Sequence, residues 1–256
     1  MSIGQAVAVA SGKGGVGKSS VVVALGRALR ACGLRVGILD ADLYGPDIPL
    51  MLGVTRTVPA GHVTVWEAPG RGGPRVEPVE LDGMRVMSLQ FLVAEGQAFA
   101  AAGPMAHLMI GRMCTGIDWG ELDYLLVDLP PGTGDVSQAV VQSLSIGAAI
   151  VVVTPQDVAH LDTRKLLDFL AQRQVRVLGG VENMCTVTCP CCDHEFPLFP
   201  AAPQRRTIWD DGVERLVRLP FDQARFGVRE ASGGDAPDAA LVGLAERLIA
   251  DLPPGG

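Results

Sequence analysis

Short runs of apolar residues alternate along the chain with longer segments whose apolar positions recur at helical spacing. The short runs predict buried strands at residues 6–11, 35–40, 84–89, 124–130, 148–155 and 175–183. The longer segments predict helices at residues 18–32, 104–115, 135–146, 158–173 and 236–252. Because near-continuous Val, Ile and Leu strands separated by helices are typical of buried parallel sheets, we predict an α/β fold with a mostly parallel sheet flanked by helices on both faces.

Two segments interrupt this alternation. Residues 56–80 are rich in Gly and Pro, and we expect an irregular excursion there. Residues 184–204 lack apolar periodicity and carry four of the six cysteines, which favours an insertion on the scaffold. A chain of 256 residues can bury one large core, so we predict a single domain over residues 1–256.

Composition and charge narrow the classes of function. Hydrophobic residues make up 48% of the chain and charged residues 19%, as in a globular protein. The net charge of −7 argues against a broad nucleic-acid surface, and no apolar run reaches the length that spans a bilayer. The N-terminus has no basic region before its short apolar run, so we expect a cytoplasmic protein with reduced thiols. Clustered cysteines in that compartment favour metal binding or redox chemistry.

The segment "GKGGVGKS", residues 12–19, lies between a predicted strand and a predicted helix. It fits the phosphate-binding loop pattern G-x-x-x-x-G-K-[ST], in which glycines let backbone N–H groups surround phosphate oxygens. Lys18 is expected to reach the β- and γ-phosphates, and the Ser19 hydroxyl to bind Mg²⁺. We therefore predict an ATP site made of Gly12, Lys13, Gly14, Gly15, Val16, Gly17, Lys18, Ser19 and Ser20.

Three carboxylates follow predicted strands. Asp40 and Asp42 end the second strand, and Asp128 ends the fourth at the position of a Walker B carboxylate. Active sites of parallel sheets open at the carboxyl ends of the strands, so these side chains are expected beside the loop. We predict that Asp40 and Asp128 serve the Mg²⁺–nucleotide site and that Asp42 orients the attacking water.

The loop resembles that of the deviant Walker A ATPases, whose pattern is K-G-G-x-G-K-[ST]. In that group the early lysine crosses a homodimer interface to the nucleotide of the other subunit. The resemblance implies this catalytic role for Lys13, beside Lys18 and Asp42. It also implies that Asn183, at the end of the last predicted strand, binds the adenine edge.

Longer strings resemble the Mrp/ApbC family of iron–sulfur cluster carrier ATPases over about residues 6–199. They include "ILDADLYGPDIPLMLG", "DWGELDYLLVDLPPGTGDVSQAVVQ", "VVTPQDVAHLDTRK" and "VLGGVENMCTVTCPCCDHEFPLF". The family implies a slow ATPase that carries a [4Fe–4S] cluster bridged across a homodimer by Cys189 and Cys192 of both subunits. It implies apo iron–sulfur proteins and a cluster scaffold as partners, whereas the net charge and the lack of a long apolar run predict neither nucleic acid nor membrane among them.

The residues themselves leave alternatives. Zinc could take Cys185, Cys189, Cys192 and His194 of one chain, although the last ligands are crowded. A redox dithiol is disfavoured because Pro197 crowds a segment that would have to begin a helix. A spatial organiser of the MinD/ParA type would share the loop and Lys13, but it needs a basic membrane helix or DNA face. Cys32 and Cys114 are expected to be buried packing residues.

Overall fold

The structure is a computed structural model. It describes residues 2–42, 45, 47–54, 65–67, 74–88, 91, 110–111, 114–199, 207–222 and 238–255.

Eight strands form one sheet; they are β1 Ser2–Ala10, β2 Val36–Asp40, β5 Val79–Leu81, β6 Met84–Ser88, β7 Glu121–Asp128, β8 Ala148–Val153, β9 Arg176–Glu182 and β12 Arg215–Arg218. Their order across the sheet is β12-β9-β8-β1-β7-β2-β6-β5. All neighbours are parallel except β5 and β6, which are antiparallel at one edge. β1 lies at the centre, where it pairs with β7 and β8, so the loop that follows β1 leaves from the middle of the carboxyl edge.

Helices cover both faces of the sheet. They are α1 Lys18–Ala31, α2 Ile48–Met51, α3 Asp135–Ser143, α4 Asp157–Gln172 and α5 Ala239–Asp251. Alternate residues of β1 show why: Val7 and Val9 pack in the cluster that contains α1 and α5, whereas Ala8 and Ala10 pack in the cluster that contains α3 and α4. Burial on both faces explains the continuous apolar runs of the strands.

The predicted α/β fold is confirmed, and the predicted strands correspond to β1, β2, β6, β7, β8 and β9. Four predicted helices correspond to α1, α3, α4 and α5. Of the predicted helix at 104–115, residues 110, 111, 114 and 115 are helical, and the rest lies outside the described residues. Among the described residues, no helix has the length and hydrophobicity that crossing a membrane requires.

Some short strands were not predicted. Within the expected excursion, β3 Val65–Glu67 and β4 Pro74–Val76 form an antiparallel pair, and β5 extends the main sheet. Within the expected insertion, β10 Thr186–Thr188 pairs with β11 Glu195–Pro197. Strands of three residues are too short for alternation to separate them from loops, so their pairing depends on tertiary contacts.

The prediction that Cys32 is buried was wrong. α1 ends at Ala31, and Cys32 caps the helix with an exposed side chain. Gly33, with φ of +82°, turns the chain away immediately afterwards. Cys114 is buried as predicted, and this burial raises the pKa of its thiol to about 12.

Candidate nucleotide site and cysteine hairpin

The glycine-rich loop connects β1 to α1 at the centre of the sheet. Gly15 and Gly17 have φ of +79° and +81°, a left-handed backbone that glycine adopts without strain. α1 begins directly at Lys18, so the amide N–H groups of Lys18, Ser19 and Ser20 lie in its first turn and have no acceptor within the helix. Backbone donors and the helix dipole therefore point into the loop, as an anion site requires.

Gly12 is fixed by a close approach between the loop and α4. A Cβ at this position would collide with the backbone of Asp162 and Thr163. The loop is thus packed at Gly12 against the N-terminal half of α4. Lys13, next to this contact, is exposed.

Lys18 and Ser19 converge on Asp128 at the end of β7. The Lys18 ammonium forms an ion pair with Asp128 Oδ1, and Ser19 Oγ donates to Oδ2 at 2.6 Å. Burial raises the pKa of Asp128, while the neighbouring Lys18 opposes that shift. The three residues that the sequence assigns to phosphate and Mg²⁺ are therefore in contact. A hydroxyl and a carboxylate are ligands that suit Mg²⁺.

Asp40 lies beside this group at the end of β2, fully buried. Its carboxylate accepts bonds from Asp42 N at 3.2 Å and Ser88 Oγ at 3.3 Å. Burial, and then the charge of Asp128, raise the pKa of Asp40 well above its usual range. Asp42 is half-buried and accepts from Gly45 N at 3.1 Å, so its carboxylate is more accessible than that of Asp40.

Asn183 follows β9 and is fully buried. Its Nδ2 donates to the carbonyl of Val16 in the loop at 2.8 Å, and its backbone N–H donates to Val153 O at 2.8 Å. Its Oδ1 has no hydrogen-bond partner among the described residues. A buried acceptor is costly when unpaired, and an adenine amino group is a donor that would satisfy it.

Ser20 differs from the other predicted loop residues in where its hydroxyl lies. Its hydroxyl is buried and lies 3.9 Å from Met51 Sδ in α2. Only its backbone amide remains available for a phosphate.

Cys189, Cys191 and Cys192 lie in the turn of the β10–β11 hairpin. The turn closes through Cys189 N to His194 O and Asp193 N to Cys189 O, both 3.0 Å. Hydrogen bonds from the Cys191 N–H, the Cys192 thiol and the Cys192 N–H lower the pKa of Cys189. Cys191 and Cys192 are exposed, so the turn presents thiols to solvent.

Cys185 is separate from that turn. It is buried, and its thiol donates to the carbonyl of Glu182 at 2.9 Å. His194 is exposed at the end of the turn. All six cysteines lie in the described part of the chain and are free thiols. The described residues contain no group of three or more His, Cys, Asp and Glu side chains placed to hold a metal, so the single-chain zinc site is not formed.

Sequence reasoning missed the residues that attach the hairpin to the sheet. The buried Glu182 carboxylate accepts from Trp209 Nε1 at 3.3 Å and from Arg218 Nε at 2.9 Å. One feature of the sequence could have indicated these partners: Glu182 ends an otherwise apolar strand immediately before Asn183. A carboxylate buried at such a position requires hydrogen-bond or ionic partners.

The chain was compared with known proteins. The family described as ParA, NUBPL iron-transfer P-loop NTPase, matches residues 2–237. An iron–sulfur cluster carrier protein of Pyrococcus abyssi is 38% identical, over 96% of this chain and 86% of that protein. A solved structure of the nucleotide-binding protein from Archaeoglobus fulgidus in complex with ADP is 35% identical, with a TM-score of 0.69, over 94% of this chain and 88% of the other.

The septum site-determining protein MinD of Pyrococcus horikoshii, solved with Mg-ADP, has a TM-score of 0.65 at 20% identity. The alignment covers 95% of both chains and shows a shared fold alone. The family match and the carrier relative both cover most of this chain, and together they identify its family within that fold. The chain belongs to the ParA family of NUBPL-type iron-transfer P-loop NTPases.

Proposed function

We propose that the protein is an ATP-hydrolysing carrier that holds a [4Fe–4S] cluster between two copies of itself and transfers it to apo-proteins. The observation that carries this proposal is the hairpin turn, which holds the half-buried Cys189 and the exposed Cys192 together without forming a site of three or more metal ligands among the described residues. Iron–sulfur clusters of this type take four thiolates, so one chain supplies half of the set. A relative that is an iron–sulfur cluster carrier protein, at 38% identity, supports an iron–sulfur cluster as the group that this protein carries.

The nucleotide site fits ATP and Mg²⁺. The loop from Gly12 to Ser20 would surround the phosphates, with Lys18 between the β- and γ-phosphates. Ser19 and Asp128 would hold Mg²⁺, with Asp40 behind them, and Mg²⁺ would neutralise charge on the phosphates. The more accessible Asp42 would orient the attacking water, and the unpaired Asn183 Oδ1 would accept from adenine.

Lys13 has a separate role in this proposal. It lies in the exposed part of the loop, and its side chain forms no hydrogen bond or ion pair with the described residues. A second copy facing this edge would receive Lys13 at its γ-phosphate, where a cation stabilises developing negative charge. Hydrolysis would then be slow in the monomer and tied to the homodimer.

A cluster held by an exposed turn suits transfer better than electron storage. Thiolates at the tip of a hairpin can be reached by the thiols of an apo-protein, and a scaffold protein could load the cluster by the same route. The function calls for a compartment in which thiols stay reduced, consistent with the predicted cytoplasmic location.

The competing function is a spatial organiser of the MinD/ParA type. That function commonly uses an amphipathic helix for membrane binding. The last helix, α5, instead buries Leu241, Leu244 and Leu248 in the core cluster that contains α1. The net charge of −7 also gives no support for DNA binding.

The test is the iron and sulfide content of protein purified and reconstituted without oxygen. We expect a brown sample with about four iron and four sulfide per two chains. Cys189→Ala with Cys192→Ala should abolish both, whereas Cys32→Ala, an exposed cysteine elsewhere, should leave both unchanged. Transfer is followed by the recovered activity of an apo iron–sulfur enzyme. A colourless wild type, or a double variant that keeps its iron, would contradict the proposal.

A further inference from the structure

We propose that Glu182 is a positioning residue that links the nucleotide site to the cysteine hairpin, so that bound nucleotide changes the accessibility of the hairpin thiols. The inference rests on the proposed function, because it concerns how the same two sites communicate. Glu182 is the last residue of β9, and its side chain is 7% exposed.

The Glu182 carboxylate holds two other segments in place. Oε1 accepts from Trp209 Nε1 at 3.3 Å, and Oε2 accepts from Arg218 Nε at 2.9 Å. Arg215 lies 3.6 Å from Oε2 and stacks over the Trp209 ring at 4.7 Å. A buried carboxylate requires such partners, so Glu182 and these side chains are expected to move together or not at all.

Backbone bonds continue from Glu182 into the hairpin. Its carbonyl accepts from Leu219 N and from the Cys185 thiol, both at 2.9 Å. Cys185 N donates in turn to Leu219 O at 3.0 Å, and Phe221 N donates to Thr186 O, the first residue of β10, at 2.7 Å. The base of the hairpin is therefore attached to the strand end that Glu182 fixes.

Two connections lead from the same point to the glycine-rich loop. Asn183 follows Glu182 directly and donates to Val16 O in the loop. On the other side, the Trp209 ring packs edge-on against His160 of α4, with centroids 5.8 Å apart. The backbone of α4 contacts Gly12 two residues after His160. A displacement of the loop by phosphate or adenine thus reaches Glu182 by both routes.

The test uses the apo-protein and a thiol reagent. Iodoacetamide labelling of Cys189 and Cys192 is followed by mass spectrometry without nucleotide, with Mg-ADP, and with a non-hydrolysable ATP analogue. We expect nucleotide to change the wild-type labelling rate by about fivefold, a typical size for coupled sites. In Glu182→Gln the ratio should approach one while the dissociation constant for nucleotide stays within about threefold.

Two further variants keep the result interpretable. Trp209→Phe keeps an aromatic ring beside His160 but removes the indole N–H that donates to Glu182. It should therefore reduce the ratio of labelling rates even if Glu182→Gln fails to fold. Glu214→Gln makes the same chemical change at an exposed residue bound to Arg247, and it should behave as wild type.

The inference is overturned if nucleotide leaves the wild-type labelling rate unchanged, or if Glu182→Gln and Trp209→Phe both retain the wild-type ratio. No iron is present in these assays, so they test the coupling without the cluster. If nucleotide changes the labelling rate but the protein binds no cluster on reconstitution, the carrier function fails and the coupling stands.

Discussion

The nucleotide edge of the sheet and the cysteine hairpin differ in how much of each site one chain supplies. At the nucleotide edge, Lys18, Asp128, Asp40 and Asn183 are all buried, and each is held by contacts from another strand or loop. In the hairpin, the cysteines lie in a turn closed by its own backbone, with Cys192 and Cys191 exposed.

In the proposed carrier, both sites would use a second copy of the chain, but to different extents. Burial and fixed partners hold the side chains of the nucleotide edge in place, and there the second copy would add only Lys13. The hairpin of one chain would supply two thiols, Cys189 and Cys192, to a proposed cluster that takes four. Substitutions at the nucleotide edge should therefore act mainly on nucleotide affinity, and substitutions at the hairpin mainly on iron content.

The largest effect is expected for Lys18→Ala. Loss of this ammonium should weaken ADP binding by about 100-fold, because a buried charge partner is commonly worth 2–5 kcal/mol. Iron and sulfide content after reconstitution should stay at the wild-type level. Calorimetric titration with ADP and iron analysis on the same sample test both statements, with circular dichroism as the check on folding.

Asn183→Ala should weaken ADP binding by about tenfold, since it removes a buried acceptor for a donor on the base. Wild-type protein should prefer ADP to inosine diphosphate, which lacks the amino group, whereas the variant should bind both equally. An unchanged preference in the variant would show that another residue contacts the adenine edge.

Cys185→Ala should retain the full iron and sulfide content. It should lower the free energy of unfolding by about 1 kcal/mol, because it removes a buried thiol and its hydrogen bond to Glu182. Denaturant titration and iron analysis measure the two quantities. Loss of iron in this variant would instead make Cys185 a ligand of the cluster.

Asp40→Asn should stabilise the fold and raise Tm at neutral pH, because it removes a buried carboxylate whose ionisation is disfavoured. The pKa of Asp40 is raised in the folded state, so its ionisation costs stability as the pH rises from the usual carboxyl range to that raised pKa. The advantage of the variant should therefore be largest at high pH and shrink toward pH 4. If the gain in stability of the variant does not vary with pH, it does not come from the ionisation of Asp40.

Much of the fold and the nucleotide site could be predicted because local pattern and tertiary role agree there. The loop from Gly12 to Ser19 has a fixed spacing, and Asp40 and Asp128 end apolar strands whose carboxyl ends meet at one edge. Three-residue strands such as β10 and β11 give no such period, so the hairpin under the cysteines was not found.

The contacts around Glu182 could not be read from the sequence for a different reason. Trp209 and Arg218 are distant from Glu182 along the chain, and nothing local marks them as partners of a buried carboxylate. Cys32 shows the opposite error: apolar neighbours suggested burial, but the helix ends one residue earlier.

In the proposed carrier, Cys189 and Cys192 are half of a site shared by two copies of the chain. Native mass spectrometry of protein reconstituted without oxygen detects such sharing. We expect a species of two chains with four iron and four sulfide atoms, absent from the Cys189→Ala, Cys192→Ala variant. A single chain that carries its own iron–sulfur cluster, or a single zinc ion, would contradict it.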